Sequence, residues 1–357
     1  MSGHEAPEGV RTAHLGAPTL DAASPFGRQD REALEGEVLS PSATRSRGAG
    51  DRAKPEEPDE WRTCFERDRD RILHSAAFRR LAGKTQVFVF PADHQRTRLT
   101  HALEVAQVAT AIARALRLNL ALTEAVALGH DCGHGPGGHA SEDAFGPFVE
   151  GGFDHAVWGA DVTARPLNLC RETLDGIRNH SWSRPAPGTP EGEVVALADR
   201  IAYTAHDLED AVHAGIVDPG QLPASVAERC GTTRARQLRA FISDVVTTSA
   251  GHGLVGLSAP FAEALADLRR FDYERVYLRP ASLEQSRRVI EMLRALVDHY
   301  RSHPGEMPAE HGLAAAEDPQ LAAVAYVAGM TDRFACVQAV ARLGWTTDRL
   351  PRGFDAG

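Results

Sequence analysis

The segment from His130 to Glu142 (HDCGHGPGGHASE) most constrains what this chain can fold into. It sets His130, Asp131, His134, His139 and Glu142 into thirteen positions, where an apolar helical stretch (Leu120, Leu122, Val126, Leu128) breaks into glycines. On a helix, His130 lies four residues after Val126 and eight after Leu122, so its imidazole follows the apolar face inward. Asp131 comes next, and a buried carboxylate without a partner costs several kcal/mol unless a cation or a hydrogen-bond network compensates it. A metal ion is such a compensator.

Upstream, His101, Val105, Val108 and Ile112 recur at i, i+4, i+7 and i+11, placing one histidine on a buried helical stripe. Downstream, Pro190 with Glu191 and Glu193 reads as a helix start, because proline suits the first helical position and acidic groups suit the positive end of the dipole. On that helix Asp199, Tyr203 and Asp207 recur at i, i+4 and i+8, beside the apolar Val194, Leu197, Ile201 and Ala205. Three helices can thus bring His101, His130, Asp131 and Asp199 to one point. Two imidazoles and two carboxylates suit one divalent ion: manganese, iron, cobalt, nickel or zinc, with magnesium less natural for histidine. Four protein ligands on an ion that accepts six leave positions for water and substrate oxygens, and hydrolysis is the implied chemistry.

The order His101, His130-Asp131, Asp199 resembles the HD-domain metal phosphohydrolases, a mostly α-helical fold with minor short strands. The surrounding text is similar to the deoxynucleoside triphosphate triphosphohydrolases, the dGTPase-like branch. The similar stretches are Phe65 to Val87, Arg96 to Ala109, His130 to Phe145, Leu167 to His180, Glu193 to Ala214 and Tyr326 to Ala335, within roughly residues 61 to 340. The resemblance implies that His101, His130, Asp131 and Asp199 are metal ligands and that His139 and Glu142 form a catalytic dyad. A carboxylate beside an imidazole fixes its tautomer and raises its basicity. By the same resemblance, His134 and His155 contact phosphate or handle protons, Arg98 binds phosphate, and Gln86, Tyr203 and Asp207 close around the deoxyribose and its 3'-hydroxyl. The implied reaction is attack of metal-activated water on the α-phosphorus of a dNTP, releasing a deoxynucleoside and tripolyphosphate. A homo-oligomer is implied on the same ground.

The chain departs from the family's pattern at Gly137, which should loosen the loop before His139, at Ala156 and Trp158 after His155, and at Arg200 after Asp199. These changes bear on substrate preference. Each residue also has a plain alternative. A lone histidine on an apolar face is more often an ordinary core residue, and only the ordered set of four outweighs that reading here. For His134 and His139 the alternative is an exposed glycine-rich turn, and for Tyr203 and Asp207 an ordinary helix surface. His74, His94, His180, His206 and His213 are read as structural or solvated. Arg67, Arg69, Arg71, Arg79 and Arg80 fit either a solvated face paired to Glu66, Asp68 and Asp70 or a surface for triphosphate or single-stranded nucleic acid. Gly83-Lys84-Thr85 imitates the end of a P-loop, but Phe78 stands where the first glycine belongs. Two rival functions stay open: a nucleotide phosphomonoesterase of the same architecture, and a catalytically weak nucleotide-sensing or single-strand-binding protein.

The net charge of −10 argues against a general nucleic-acid binder, and 43% hydrophobic content over 357 residues supports a sizeable core. Five scattered cysteines without a CxxC pair fit a reducing compartment, and no secretory signal or membrane-length stretch is seen, so the expected location is cytoplasmic. Residues 1–60 hold few large apolar groups and are expected to form a flexible, mostly disordered arm, followed by the HD-type domain over 61–343 and a tail over 344–357. Helical periodicity predicts helices over 61–82, 97–118, 120–131, 139–149, 171–180, 190–213, 221–248, 259–271, 282–302 and 318–343, with Thr85 to Phe90 the best strand candidate.

Overall fold

The computed structural model describes residues 2–21, 24–309 and 317–354. Apart from an antiparallel pair, β1 (His4–Glu5) with β2 (Arg11–Thr12), the described chain is helical. In chain order the helices are α1 (Arg28–Val38), α2 (Cys64–His74), α3 (Ala76–Arg80), α4 (Arg98–Ala115), α5 (Leu120–Gly129), α6 (Ala140–Phe145), α7 (His155–Trp158) and α8 (Arg171–Asn179). There follow α9 (Pro190–His213), α10 (Ala224–Cys230), α11 (Arg234–His252), α12 (Ala259–Asp272), α13 (Pro280–Ser302), α14 (Pro319–Ala328) and α15 (Asp332–Leu343).

Local chemistry sets these ends. Thr63 caps α2 and exchanges hydrogen bonds with Glu66, while Asn119 accepts the N–H of Leu122 at the head of α5. Thr189 accepts the N–H of Gly192 ahead of Pro190, which fixes the start of α9 where the sequence placed it. Three expected helices are interrupted. Ser75 ends α2 and caps α3, Gly231 at φ +82° separates α10 from α11, and the expected 318–343 helix breaks at 329–331, where Thr331 caps α15.

The apolar faces form two cores. In the first, α4 packs against α5 and α9, with α2, α8 and α10 to α12 around them, burying Val105, Ile112, Leu122, Val126 and Ile201 completely. In the second, α6 and α13 to α15 bury Phe145, Leu293, Leu296 and Val327. Each such side chain contributes roughly 1.5–3 kcal/mol by leaving water. The candidate site lies between these two cores.

Two expectations are corrected. Thr85 to Phe90 is no strand: Thr85 makes an isolated bridge to Thr97, and its N–H goes to the carboxylate of Asp332 at 2.9 Å. Residues 28–60, expected as part of a disordered arm, run over the first core and are tied to it by polar contacts that compositional reasoning cannot weigh. Glu191 accepts from the N–H and hydroxyl of Thr44, and Arg52 pairs with Asp68 at 2.5 Å with both side chains buried. Asp68 is therefore taken by the arm, while Arg67 and Arg71 pair with Glu56. The arginine run is largely ion-paired surface. Among the described residues no helix is long and apolar enough to cross a membrane.

Candidate active site

The packing of α4, α5 and α9 brings the four expected ligands together. His101 on α4 lies 3.0 Å from Asp199 on α9 and 3.7 Å from Asp131, measured from its Nε2. His130 caps the C-terminus of α5, and its Nε2 lies 3.6 Å from Asp131 and 3.7 Å from Asp199. Nδ1 of His130 is 2.6 Å from the carbonyl of Ala127. A carbonyl can only accept, so Nδ1 carries the proton and Nε2 presents a lone pair to the cluster. That nitrogen is buried and has no hydrogen-bond partner, so its lone pair is available to a cation. The donor set thus fits a divalent ion on observation as well as by residue type.

The electrostatics agree. Burial pushes Asp131 toward its neutral form, but Arg98, His130 and His134 outweigh it and hold the carboxyl well below its usual range. Burial likewise opposes ionisation of Asp199, and His101 and His130 overcome it. Both carboxylates are anionic and ready to ligate.

A cavity of about 560 Å³ opens beside this cluster, with Arg98, His134, His139, His155, Tyr203 and Asp207 in its wall. Arg98 donates through Nη1 to Asp131 at 2.6 Å, while its buried Nε and Nη2 have no partner. The Oε1 of Gln86 and Oδ1 of Asp207 are likewise buried and unpartnered on the same cavity. Tyr203 accepts from Arg269 Nε at 3.1 Å, and Asp207 accepts the hydroxyl of Tyr277 at 2.5 Å. Burial raises Asp207 to about 6 despite that bond.

His139 and Glu142 form the expected pair, 3.2 Å from His139 Nδ1 to Oε2. The other oxygen of Glu142 meets Nδ1 of His155 at 2.5 Å, and Nε2 of His155 meets Nε2 of His180 at 3.2 Å. The rings of His134 and His155 stack at 3.7 Å and 14°.

The loop from His134 to His139 is held tightly, contrary to the loosening expected from its glycines. Gly137 and Gly138 sit at φ +73° and +62°, where side chains are disfavoured. A Cβ on Gly137 would lie 2.4 Å from Val289, and one on Gly138 would lie 2.6 Å from Arg98 Nη2. Lys84 donates to the carbonyls of His134 and Ala328. Burial, with Arg80 nearby, pushes its ammonium down to about 7.

Of the departures from the family pattern, Trp158 packs tilted against Phe153 in the second core and Ala156 is fully buried, while Arg200 reaches the cavity and lies 3.5 Å over the ring of Trp182. His180, read from sequence as structural or solvated, lines the cavity, as do Trp182, Arg269 and Tyr277, which the sequence did not single out. His180 carried a usable signal: it stands three residues after Ile177 on the buried face of α8, as His130 does after Ala127.

The fold and this donor set define an HD-domain phosphohydrolase. The HD domain family model matches residues 98–204, and the phosphohydrolase-associated domain model matches 255–340. The chain is 42% identical over 319 residues to a deoxyguanosinetriphosphate triphosphohydrolase-like protein of Caldanaerobacter subterraneus, covering 87% of this chain and 94% of that one. It is 40% identical to a protein of the same description from Clostridium perfringens, covering 86% and 94%. A solved phosphohydrolase from Bacteroides thetaiotaomicron aligns at a TM-score of 0.48 and 18% identity over 74% of this chain and 67% of that one. The chain belongs to the deoxyguanosinetriphosphate triphosphohydrolase-like family of HD-domain proteins.

Proposed function

We propose that this protein hydrolyses deoxynucleoside triphosphates to deoxynucleoside and tripolyphosphate. The observation that carries the reading is Arg98: one nitrogen holds the carboxylate of Asp131, and two more nitrogens, Nε and Nη2, stand buried and unpartnered at the cavity. Buried donors of this kind suit phosphate oxygens, which bind guanidinium in a fork. The triphosphohydrolase-like description of the relatives points the same way.

His101, His130, Asp131 and Asp199 would hold one divalent ion, with manganese, iron, cobalt, nickel or zinc suited to that donor set. Bound there, such an ion acts as a Lewis acid and makes water nucleophilic near neutral pH. Arg98, with His134 beside it, orients the phosphates, while His155, engaged by Glu142 and His180, handles protons. His139, held through Nδ1 by Glu142, keeps Nε2 for moving a proton at a reacting oxygen. Asp207 Oδ1 accepts a sugar hydroxyl, and Gln86 and Tyr203 close the wall around the ribose.

The test is to incubate the manganese-loaded protein with each of the four dNTPs, singly and mixed, and resolve the products. Tripolyphosphate with free deoxynucleoside supports the proposal. Release of monophosphate instead identifies a phosphomonoesterase, and intact dNTPs in every mixture identify a binding protein.

A further inference from the structure

We propose that His180 is a positioning residue of this site: a hydrogen-bond acceptor that holds His155 and, through it, the line of Glu142 and His139 along the cavity wall. The inference rests on the phosphohydrolase reading for its kinetic consequence. Its structural content stands alone.

The proton positions follow from the partners. Nδ1 of His180 lies 2.8 Å from the carbonyl of Ile177, which can only accept, so that nitrogen is protonated. The 3.2 Å contact between Nε2 of His180 and Nε2 of His155 then needs one proton between them. It belongs on His155, which has the carboxylate of Glu142 on its far side at 2.5 Å, whereas His180 has a carbonyl on its far side. His180 also lies edge-on to His130, with ring centroids 4.9 Å apart. His180 Nε2 therefore accepts and His155 Nε2–H donates.

The consequence runs along the wall. With Nε2–H committed to His180, His155 turns Nδ1 to Glu142 Oε1, which also accepts the backbone N–H of His155 at 3.1 Å. Glu142 is thereby fixed with its second oxygen toward His139. His180 is 2% exposed and Ser181 beside it reaches the cavity, so α8 anchors the line from behind. Without the acceptor, His155 is free to rotate about its stack on His134, and Glu142 loses its brace.

Two substitutions separate this role from simple packing. Glutamine can present an oxygen where Nε2 stands, while asparagine reaches only the Nδ1 position and keeps just the donor to Ile177. In the proposed reaction, His180→Asn lowers kcat about 10- to 100-fold with little change in KM, the scale seen for partners that orient ligand and catalytic groups, and His180→Gln retains most of the wild-type kcat. Equal losses in both variants at equal thermal stability overturn the proposal. A second readout needs no substrate: 15N-histidine NMR of the protein, with and without zinc, should give His180 as the Nδ1–H form and a slowly exchanging Nε2–H on His155. That proton is kept in His180→Gln and lost in His180→Asn. An Nε2–H form of His180, or a His180 resonance shifted by direct zinc ligation, overturns it. If no dNTP is hydrolysed, the activity reading fails and the NMR pattern alone decides this one.

Discussion

The carboxylate of Asp332, the first residue of α15, accepts the backbone N–H of Gly137 at 2.8 Å across 195 positions of sequence. It also accepts from the N–H and hydroxyl of Thr85, at 2.9 and 2.5 Å. One side chain of the second core therefore ties down both the His134 to His139 loop and the segment entering the cavity wall. Asp332→Ala leaves three buried donors unpaired, and a loss of about 3 kcal/mol in unfolding free energy is expected. The kcat should fall about 10-fold or more as His139 loses its register. Denaturant unfolding and steady-state kinetics check both, and an unchanged kcat rejects the link.

Gly137→Ala tests the same loop sterically. The added Cβ meets Val289 at 2.4 Å, and φ of +73° strains any side chain. A loss of about 1–3 kcal/mol is expected. Adding Val289→Ala relieves the clash but not the backbone strain, so partial recovery of stability in the double variant is the expected outcome.

Arg98→Lys keeps the charge and removes the fork. Lysine can serve Asp131 or a phosphate, but not both with the geometry of the guanidinium. KM for a dNTP should rise about 10-fold or more, corresponding to about 1.4 kcal/mol, while manganese affinity changes far less. Equal changes in the two would mean that Arg98 serves the metal cluster alone.

Asp272 gives a pH prediction away from the metal cluster. It is fully buried, neither oxygen has a partner, and burial with Asp207 nearby raises its carboxyl to about 9. The folded state keeps this proton between about pH 4 and 9 while the unfolded chain has lost it, so the group's contribution to stability falls as pH rises through that window. Asp272→Asn should remove the decline, and Asp272→Leu should stabilise by about 1–3 kcal/mol near pH 8 by removing an unsatisfied acid. Thermal melts from pH 5 to pH 9 read the difference, and parallel curves for wild type and variants contradict it.

Local repetition made the His/Asp cluster legible in the sequence. His101 and His130 sit on apolar helical stripes and Asp199 on a polar stripe beside one, and such stripes keep their direction whatever the detailed packing. The helix starts were legible for the same reason, as Thr189-Pro190 shows. What stayed hidden depends on contacts between distant segments. Asp332 reads as one more acidic residue inside the expected 318–343 helix until Gly137 and Thr85 fold onto it. The stretch from Thr85 to Phe90 has strand-like composition, but its first N–H is claimed by that carboxylate and no second strand is at hand. The region from Arg28 to Glu60 lacks apolar mass, and its order comes from pairs such as Arg52 with Asp68. His180 was lost because its value lies in what its Nε2 touches.

The central claim is that His101, His130, Asp131 and Asp199 hold one divalent ion. Isothermal titration of metal-free protein with manganese tests it most directly, with His130→Ala as the comparison. One equivalent bound by the wild type and none at the same affinity by the variant is the predicted result. No binding by the wild type, or unaltered binding by His130→Ala, would contradict the account.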